Sequence, residues 1–180
     1  AEGRVSLSAD PPDLLVPGSF NPLHVGHTEL ASITGRRFAR TIGYEISVFN
    51  VDKPPLPVEE VVRRTAQFIG LAPVVLTRAP TFVEKAALFP GRIFAVGADT
   101  AARVVDPRYH QNDQASLLAA LEKIRSAGCR FVVGGRAMNG GTFTDLAAIS
   151  IPESHADLFE GIAESEFRVD ISSTQLRRNG

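Results

Sequence analysis

The chain alternates short apolar runs with longer stretches in which apolar residues recur at helical spacing. The apolar runs occupy residues 14–16, 44–50, 74–76, 92–96 and 130–133. The helical stretches lie between and around them, at residues 26–40, 58–69, 81–88, 99–105 and 113–127. Gly128 follows the last stretch, at the position where a glycine commonly ends a helix. This alternation predicts an α/β fold, a doubly wound parallel sheet of five strands with helices on both faces.

The two ends of this pattern define the predicted domain. Residues 1–13, AEGRVSLSADPPD, show no sustained period and contain a double proline, which predicts a flexible tail or a linker. Residues 14–180 are predicted to form one domain, and the 44% of hydrophobic residues is enough for a full core. After Val133 the pattern loosens, and the segment GGRAMNGG predicts a loop followed by short helices. Because the chain starts with alanine, we expect a removed methionine or a longer parent protein.

Charge and cysteine content restrict the partners and the compartment. The formal net charge is −1, so nothing draws the whole molecule to nucleic acid or to an anionic membrane. No apolar run approaches the roughly 20 residues of a membrane span, and no signal peptide is apparent. The single cysteine, Cys129, excludes a disulfide within the chain and favours a reducing, cytoplasmic location. A homo-oligomer is left open.

The loop after the first predicted strand, PGSFNPLHVGH at residues 17–27, has an unusual composition. Gly18 allows a sharp turn and a close backbone approach. The helix that follows presents free N–H groups and a partial positive charge, which favour anions. His24 and His27 are three residues apart and can project to one side, with Gly26 leaving room between them. Two imidazoles at this position can donate hydrogen bonds to phosphoryl oxygens.

Two other interpretations of this loop are possible. The histidines can be surface caps on an ordinary turn. They can also be metal ligands, but no cysteine or carboxylate lies at ligand spacing beside them, so no protein-held metal is predicted.

The complete string GSFNPLHVGH resembles the signature G-[ST]-F-[DN]-P-x-H-x-G-H of the nucleotidylyltransferase superfamily. With asparagine at position 21 it looks most like nicotinamide and nicotinate mononucleotide adenylyltransferases. The resemblance implies a Rossmann-like domain and makes both histidines catalytic. It implies that the other signature residues bind the nucleotide, namely Gly18, Ser19, Phe20, Asn21 and Gly26.

A second motif, ISSTQLR at residues 171–177, is similar to the superfamily's I-S-S-T-x-[IL]-R. Ser172 and Gln175 have the spacing of a capping box, so a helix is predicted to start here. By itself the motif is also compatible with a capped terminal helix. Together with the first motif it implies that Ser172, Ser173 and Thr174 bind the nucleotide and that Arg177 is catalytic. We expect the helix ends near Val25 and Ser173 to face one cavity.

Two basic residues flank the second predicted loop. In NVDKPPLPVEEVVRR, Lys53 precedes a proline run and Arg64 follows about ten residues later, a pair similar to the one that relatives use on phosphates. The resemblance makes Lys53 catalytic and Arg64 a nucleotide ligand, although both can be ordinary surface cations. On a helical wheel Arg64 flanks an apolar face and Arg63 lies nearly opposite it, so Arg63 is expected to be solvated. The apolar face consists of Val58, Val61, Val62, Phe68 and Ile69.

Later loops add three candidate nucleotide ligands. Gly97 and Asp99 end the fourth strand, where relatives have a G-x-D that contacts nucleotide or ribose, although Asp99 can equally cap the next helix. Arg136 follows the fifth strand, where adenylyltransferases often have a loop arginine. Cys129 and His155 look structural, and His110 is undecided.

The resemblance implies a nucleotidyltransferase that moves a nucleoside monophosphate from ATP to a phosphate-bearing acceptor and releases pyrophosphate. Nicotinamide or nicotinate mononucleotide is the expected acceptor, and magnesium is expected to bind through the nucleotide phosphates. No tryptophan is present to stack on a nicotinamide ring. Two alternatives remain, an inactive nucleotide-binding sensor or partner domain and a cytidylyltransferase that uses CTP. A class I aminoacyl-tRNA synthetase is excluded by the short chain and the lack of a basic face.

Overall fold

The computed structural model describes residues 10–51, 54–137 and 143–169, and within them six parallel strands form one sheet. The first strands along the chain are β1 (Leu14–Pro17), β2 (Ile42–Ser47), β3 (Val74–Thr77), β4 (Ile93–Gly97) and β5 (Arg130–Gly134). Next come β6 (Arg136–Ala137) and β7 (Phe143–Thr144), which form a separate antiparallel pair, and then β8 (Phe159–Ile162). The strand order of the main sheet is β3-β2-β1-β4-β5-β8.

Five α-helices alternate with the strands, as the sequence pattern predicts. They are α1 (Val25–Phe38), α2 (Val58–Ala66), α3 (Phe82–Leu88), α4 (Ala98–Val104) and α5 (Gln114–Ser126). Helix α3 starts at a capping box in which Thr81 and Glu84 bond each other's backbone N–H groups. The Asp113 side chain accepts a hydrogen bond from Ser116 N–H at the start of α5. Among the described helices, none combines the length and the apolarity needed to cross a bilayer.

Two hydrophobic clusters cover the two faces of the sheet because successive strand residues point to opposite sides. In β1, Leu15 joins the cluster that contains residues of α3, α4 and α5. Its neighbours Leu14 and Val16 join the other cluster, which contains Leu30 and Ala31 of α1. The predicted doubly wound architecture with helices on both faces is therefore confirmed.

The predicted number of strands is wrong, because the sheet has six strands instead of five. Strand β8 pairs in parallel with β5, and the sequence pattern had given only loops and short helices after Val133. The segment FEGI is short and places Glu160 and Gly161 at its centre, so it lacks the apolar run that marks the other strands. Short 3-10 helices do form at Leu146–Ala148 and Glu153–Leu158. Arg136 lies in β6 instead of a loop.

Only part of the apolar face predicted for α2 and the residues after it is buried, because Phe68 is 3% exposed while the other members of the face are more exposed. Val58 and Val62 are 74% and 61% exposed, and Ile69, beyond the end of the helix, is 59% exposed. The residue of α2 that is buried is Arg64, at 8% exposure. The arginine side of the helix packs against the loop after β1, where Arg64 donates to the Ser19 carbonyl. A helical wheel contains no information about this contact between distant segments, and so it predicts the wrong orientation for the helix.

One charged pair lies inside the fold. Lys85 of α3 donates from Nζ to both carboxylate oxygens of Glu45 at 2.8 Å and to the carbonyl of Ala79 at 2.7 Å. Thr77 donates to the same carboxylate at 2.5 Å. Glu45 is 1% exposed and Lys85 5%, so each charge depends on these partners for solvation.

We expect the Lys85→Ala variant to lose about 3–5 kcal/mol of unfolding free energy, because it leaves the Glu45 carboxylate buried without a counter-charge. The double variant Glu45→Leu/Lys85→Met removes both charges and is expected to lose less. Urea unfolding of the three proteins measures the difference. A loss below about 1 kcal/mol in Lys85→Ala would contradict this account.

Candidate functional site

The candidate site lies where the chain changes direction across the sheet, between β1 and β4. These neighbouring strands are not consecutive, and in such sheets ligands bind outside the carboxyl ends of the strands at this switch point. The segment after β1, residues 18–24, is here named the histidine loop and leads directly into α1. Gly97 and Asp99 follow β4 at the same edge. Topology thus brings together two of the loops that the sequence singled out.

Phe20 anchors the histidine loop in the core. Its side chain is fully buried, and its ring makes edge contacts with the rings of His27, Tyr44 and Phe68 at centroid distances of 4.9, 5.4 and 5.1 Å. Its backbone has φ of 43°, in the left-handed region that non-glycine residues rarely adopt. A Cβ atom at Gly18 would lie 2.8 Å from the Phe20 ring, so glycine is required there by this aromatic side chain.

The two histidines form a stacked pair at the start of α1. Their ring centroids are 3.8 Å apart with an angle of 27° between the planes. The backbone N–H of His24 donates to Nδ1 of His27 at 3.2 Å. Burial, followed by the nearby His24, lowers the pKa of His27 to about 3. The ring of His27 is therefore neutral at pH 7, and because Nδ1 accepts a hydrogen bond, its proton is on Nε2. Nε2 of His27 can therefore donate a hydrogen bond.

Arg136 and Asp99 form an ion pair beside the histidines. The pKa of His24 is lowered by burial and then by the positive charge of Arg136. The sequence had predicted both members of the pair as separate nucleotide ligands, and the structure places them in contact with each other. The Asp99 carboxylate balances the positive charge of Arg136 beside the two imidazoles.

Gly26 lies where α1 meets the last described part of the chain. A Cβ atom there would lie 3.0 Å from Cγ1 of Val169 and 3.1 Å from the His24 ring. The space that the sequence suggested for a ligand is thus occupied by side chains. Val169 belongs to the same hydrophobic cluster as Phe20, so residue 169 is held beside the histidines.

Several predicted site residues lie outside the described part of the chain. These are Lys53, Ser172, Ser173, Thr174 and Arg177. Their roles, and the expectation that the helix ends near Val25 and Ser173 share a cavity, stay predictions.

Three side chains at the end of α2 hold the histidine loop. Arg64 donates from Nη1 to the Ser19 carbonyl at 2.9 Å and from Nε to Glu60 at 2.7 Å. Arg63, expected to be solvated, is half-exposed and donates to Oδ1 of Asn21 at 2.5 Å. In this structure Arg64 contacts the loop backbone and pairs with Glu60, a carboxylate that also pairs with Arg63. Its predicted contact with phosphate stays a prediction.

Gln67 is the third of these side chains, and the sequence analysis missed it. Its Oε1 accepts from Leu23 N–H at 2.8 Å, and its Nε2 donates to the Phe20 carbonyl at 2.9 Å. A local signal was present, since Gln67 comes four residues after Arg63 and three after Arg64, on one side of the helix. Only the folded structure shows that this side of α2 contacts the histidine loop.

The remaining described candidates line open space at the same edge. Ser19 is exposed and Asn21 half-buried. A Cβ atom at Gly97 would meet no atom within 4 Å, so a ligand can approach its backbone. A cavity of about 240 Å³ lies next to this region, and its lining includes Asn50, Thr81, Phe82, Thr100, Arg103 and Tyr109. His110 borders the same cavity, with Nε2 2.9 Å from the Val104 carbonyl.

The described residues contain no group of three or more histidine, cysteine, aspartate or glutamate side chains that could hold a metal ion. Cys129 is buried, and burial raises the pKa of its thiol. Neither feature adds a metal site or a nucleophilic cysteine to this edge of the sheet.

A sequence model of the family described as cytidylyltransferase-like matches residues 15–179, which includes both motifs. No curated protein matched the chain significantly.

We expect the ring of His27 to remain neutral, with its proton on Nε2, at pH 5. Histidine ring ¹H–¹⁵N spectra of the folded protein distinguish the tautomers and the protonated form. Below pH 6.5 the unfolded chain takes up a proton at His27 that the folded chain excludes until about pH 3. His27 therefore reduces stability as pH falls through this range, by up to about 1.4 kcal/mol per pH unit. A titration midpoint near 6.5 would disprove the burial effect.

Proposed function

Because the chain belongs to the cytidylyltransferase-like family, we propose that its histidine loop binds the triphosphate of ATP while a phosphate-bearing acceptor attacks the α-phosphate. Family membership supports a nucleotidyltransferase activity in general. The observation that carries the finer proposal is the stacked, neutral histidine pair at the start of α1. It combines side-chain donors with the free N–H groups of a helix N-terminus, both of which favour phosphate.

In the proposed reaction a phosphate oxygen of the acceptor forms a bond to the α-phosphorus of ATP. The bond from that phosphorus to the oxygen bridging the α- and β-phosphates breaks, and both electrons leave with pyrophosphate. His27 donates from Nε2 to the phosphate oxygens as negative charge moves toward the leaving group, and the N-terminus of α1 stabilises the same charge. Catalysis then consists mainly of holding the reactants in line and stabilising charge.

Cationic side chains complete the proposed triphosphate site. We assign Lys53, Arg64 and Arg177 to phosphate neutralisation, with His24 as a second imidazole donor. Ser172, Ser173 and Thr174 would supply hydroxyl and backbone donors from the second motif. The position of Val169 against Gly26 supports this assignment, because only two residues separate Val169 from Ser172 and extended backbone advances at most about 3.6 Å per residue.

Magnesium fits this site as an ion carried by the nucleotide. The described residues hold no cluster of potential ligands, and Asp99 is paired with Arg136. A magnesium ion bound through the nucleotide would need few protein ligands and would supply further charge neutralisation.

For the acceptor we propose nicotinamide or nicotinate mononucleotide bound in the cavity next to Thr100. Asn21 of the signature supports this class by resemblance. The cavity offers the Phe82 and Tyr109 rings for a flat heterocycle and Arg103 for a phosphate. With no tryptophan in the chain, these rings are the aromatic surfaces that the cavity provides.

A pyrophosphate-release screen tests the proposal. ATP and CTP are each combined with nicotinamide mononucleotide, nicotinate mononucleotide, phosphopantetheine or phosphocholine. We expect release with ATP and a pyridine mononucleotide. Binding without turnover for every combination would instead support an inactive nucleotide-binding domain.

ATP is expected to bind more tightly than CTP. This expectation comes from the adenylyltransferase-like Asn21 and the G-x-D loop at Gly97 and Asp99. Calorimetric titration with both nucleotides measures the preference. Tighter binding of CTP would favour a cytidylyltransferase, the alternative that the family's description suggests.

Replacing His27 by alanine should lower kcat by about a hundred- to a thousand-fold, the scale for losing one transition-state donor. The control is His155→Ala. His155 is also buried, but it lies near Glu122 in the C-terminal half of α5, which precedes the start of β5, and so at the opposite edge of the sheet. The control should keep the wild-type kcat. Unchanged turnover in His27→Ala would remove this histidine from the mechanism.

A further inference from the structure

We propose that Gln67 is a positioning residue that holds the histidine loop in its phosphate-binding shape. The proposal builds on the proposed function, since it assigns a role in that same site. Gln67 is the C-cap of α2 and is far from the loop in sequence, yet its amide bonds the loop backbone on both sides. We name these two bonds the Gln67 clamp.

The side-chain amide of Gln67 makes three hydrogen bonds. Oε1 accepts the Leu23 N–H at 2.8 Å, and Nε2 donates to the carbonyls of Phe20 at 2.9 Å and Arg64 at 3.1 Å. One end of the side chain is thus an acceptor and the other a donor, which matches the two loop groups. The bond to the Arg64 carbonyl also ties the amide back to its own helix.

The Gln67 clamp holds Leu23 and Phe20, the two loop residues that determine where the histidine rings lie. Leu23 immediately precedes His24, whose backbone N–H orients the ring of His27. The Phe20 ring packs edge-to-face against the His27 ring at a centroid distance of 4.9 Å, and the Phe20 backbone has φ of 43°. A non-glycine residue persists in this conformation only when its surroundings hold it there. The Gln67 clamp provides part of that restraint.

Gln67 can be tested separately from phosphate neutralisation because it is uncharged. Arg63 and Arg64 also bond the loop, but their removal changes the charge near a bound triphosphate. Removing the amide of Gln67 leaves the charge of the site the same. A kinetic effect of its loss therefore reports the position of the loop.

The first experiment compares Gln67→Ala with wild type, using the nucleotide and acceptor that give turnover in wild type. We expect kcat to fall about ten- to a hundred-fold, the scale for a small misplacement of catalytic groups, with KM for the nucleotide within about three-fold. Gln114→Ala, on the exposed first residue of α5, is the matched control and should retain wild-type kinetics. Gln67→Met keeps the side-chain volume without the hydrogen bonds and tests the same point if Gln67→Ala does not fold. Wild-type kcat in a folded Gln67 variant would overturn the proposal.

The second experiment does not depend on activity. Ring ¹H–¹⁵N spectra at pH 7 should show His27 of the wild type in a single tautomer with the proton on Nε2. In folded Gln67→Ala or Gln67→Met we expect a mixture of tautomers, because the loop no longer holds His24 N–H against Nδ1. An unchanged tautomer would overturn the proposal. A wild type without nucleotidyltransfer would refute the proposed function, and these spectra would still decide whether the clamp exists.

Discussion

The burial of the Phe20 ring is the interaction on which the site depends. This ring lies between the core residues Tyr44 and Phe68 and the ring of His27, so one side chain connects the sheet to the candidate donor. It also makes glycine necessary at position 18 and requires an uncommon backbone conformation. The histidine loop is thus shaped by the core residues against which Phe20 packs.

The structure balances its charges locally. The chain as a whole has a net charge of −1, so attraction of any anion has to come from particular groups. Three buried or half-buried cations pair with an acid, Lys85 with Glu45, Arg64 with Glu60 and Arg136 with Asp99. Neutral donors then matter more at the loop, since a neutral His27 and the helix N-terminus can approach phosphate without a charge partner of their own.

The order of the helices and of the first five strands could be predicted, because periodicity and turn residues are local properties. The sixth strand could not, because FEGI lacks an apolar run and is a strand only through its pairing with β5. The same limit applied to α2. Its valines indicated a buried face, yet Arg64 is the buried residue, since the contact with the Ser19 carbonyl depends on a loop far away in sequence.

The sequence by itself determined the architecture and the chemistry available at one edge of the sheet. Its motif of glycine, phenylalanine and two histidines specified a turn, an anchor and two donors within ten residues, where chain connectivity keeps groups close. Tertiary structure alone decided that burial lowers the pKa of His27, that Arg136 pairs with Asp99, and that Gln67 bonds the histidine loop. These outcomes depend on burial and on contacts between segments that are distant in the chain, and only the folded structure creates both.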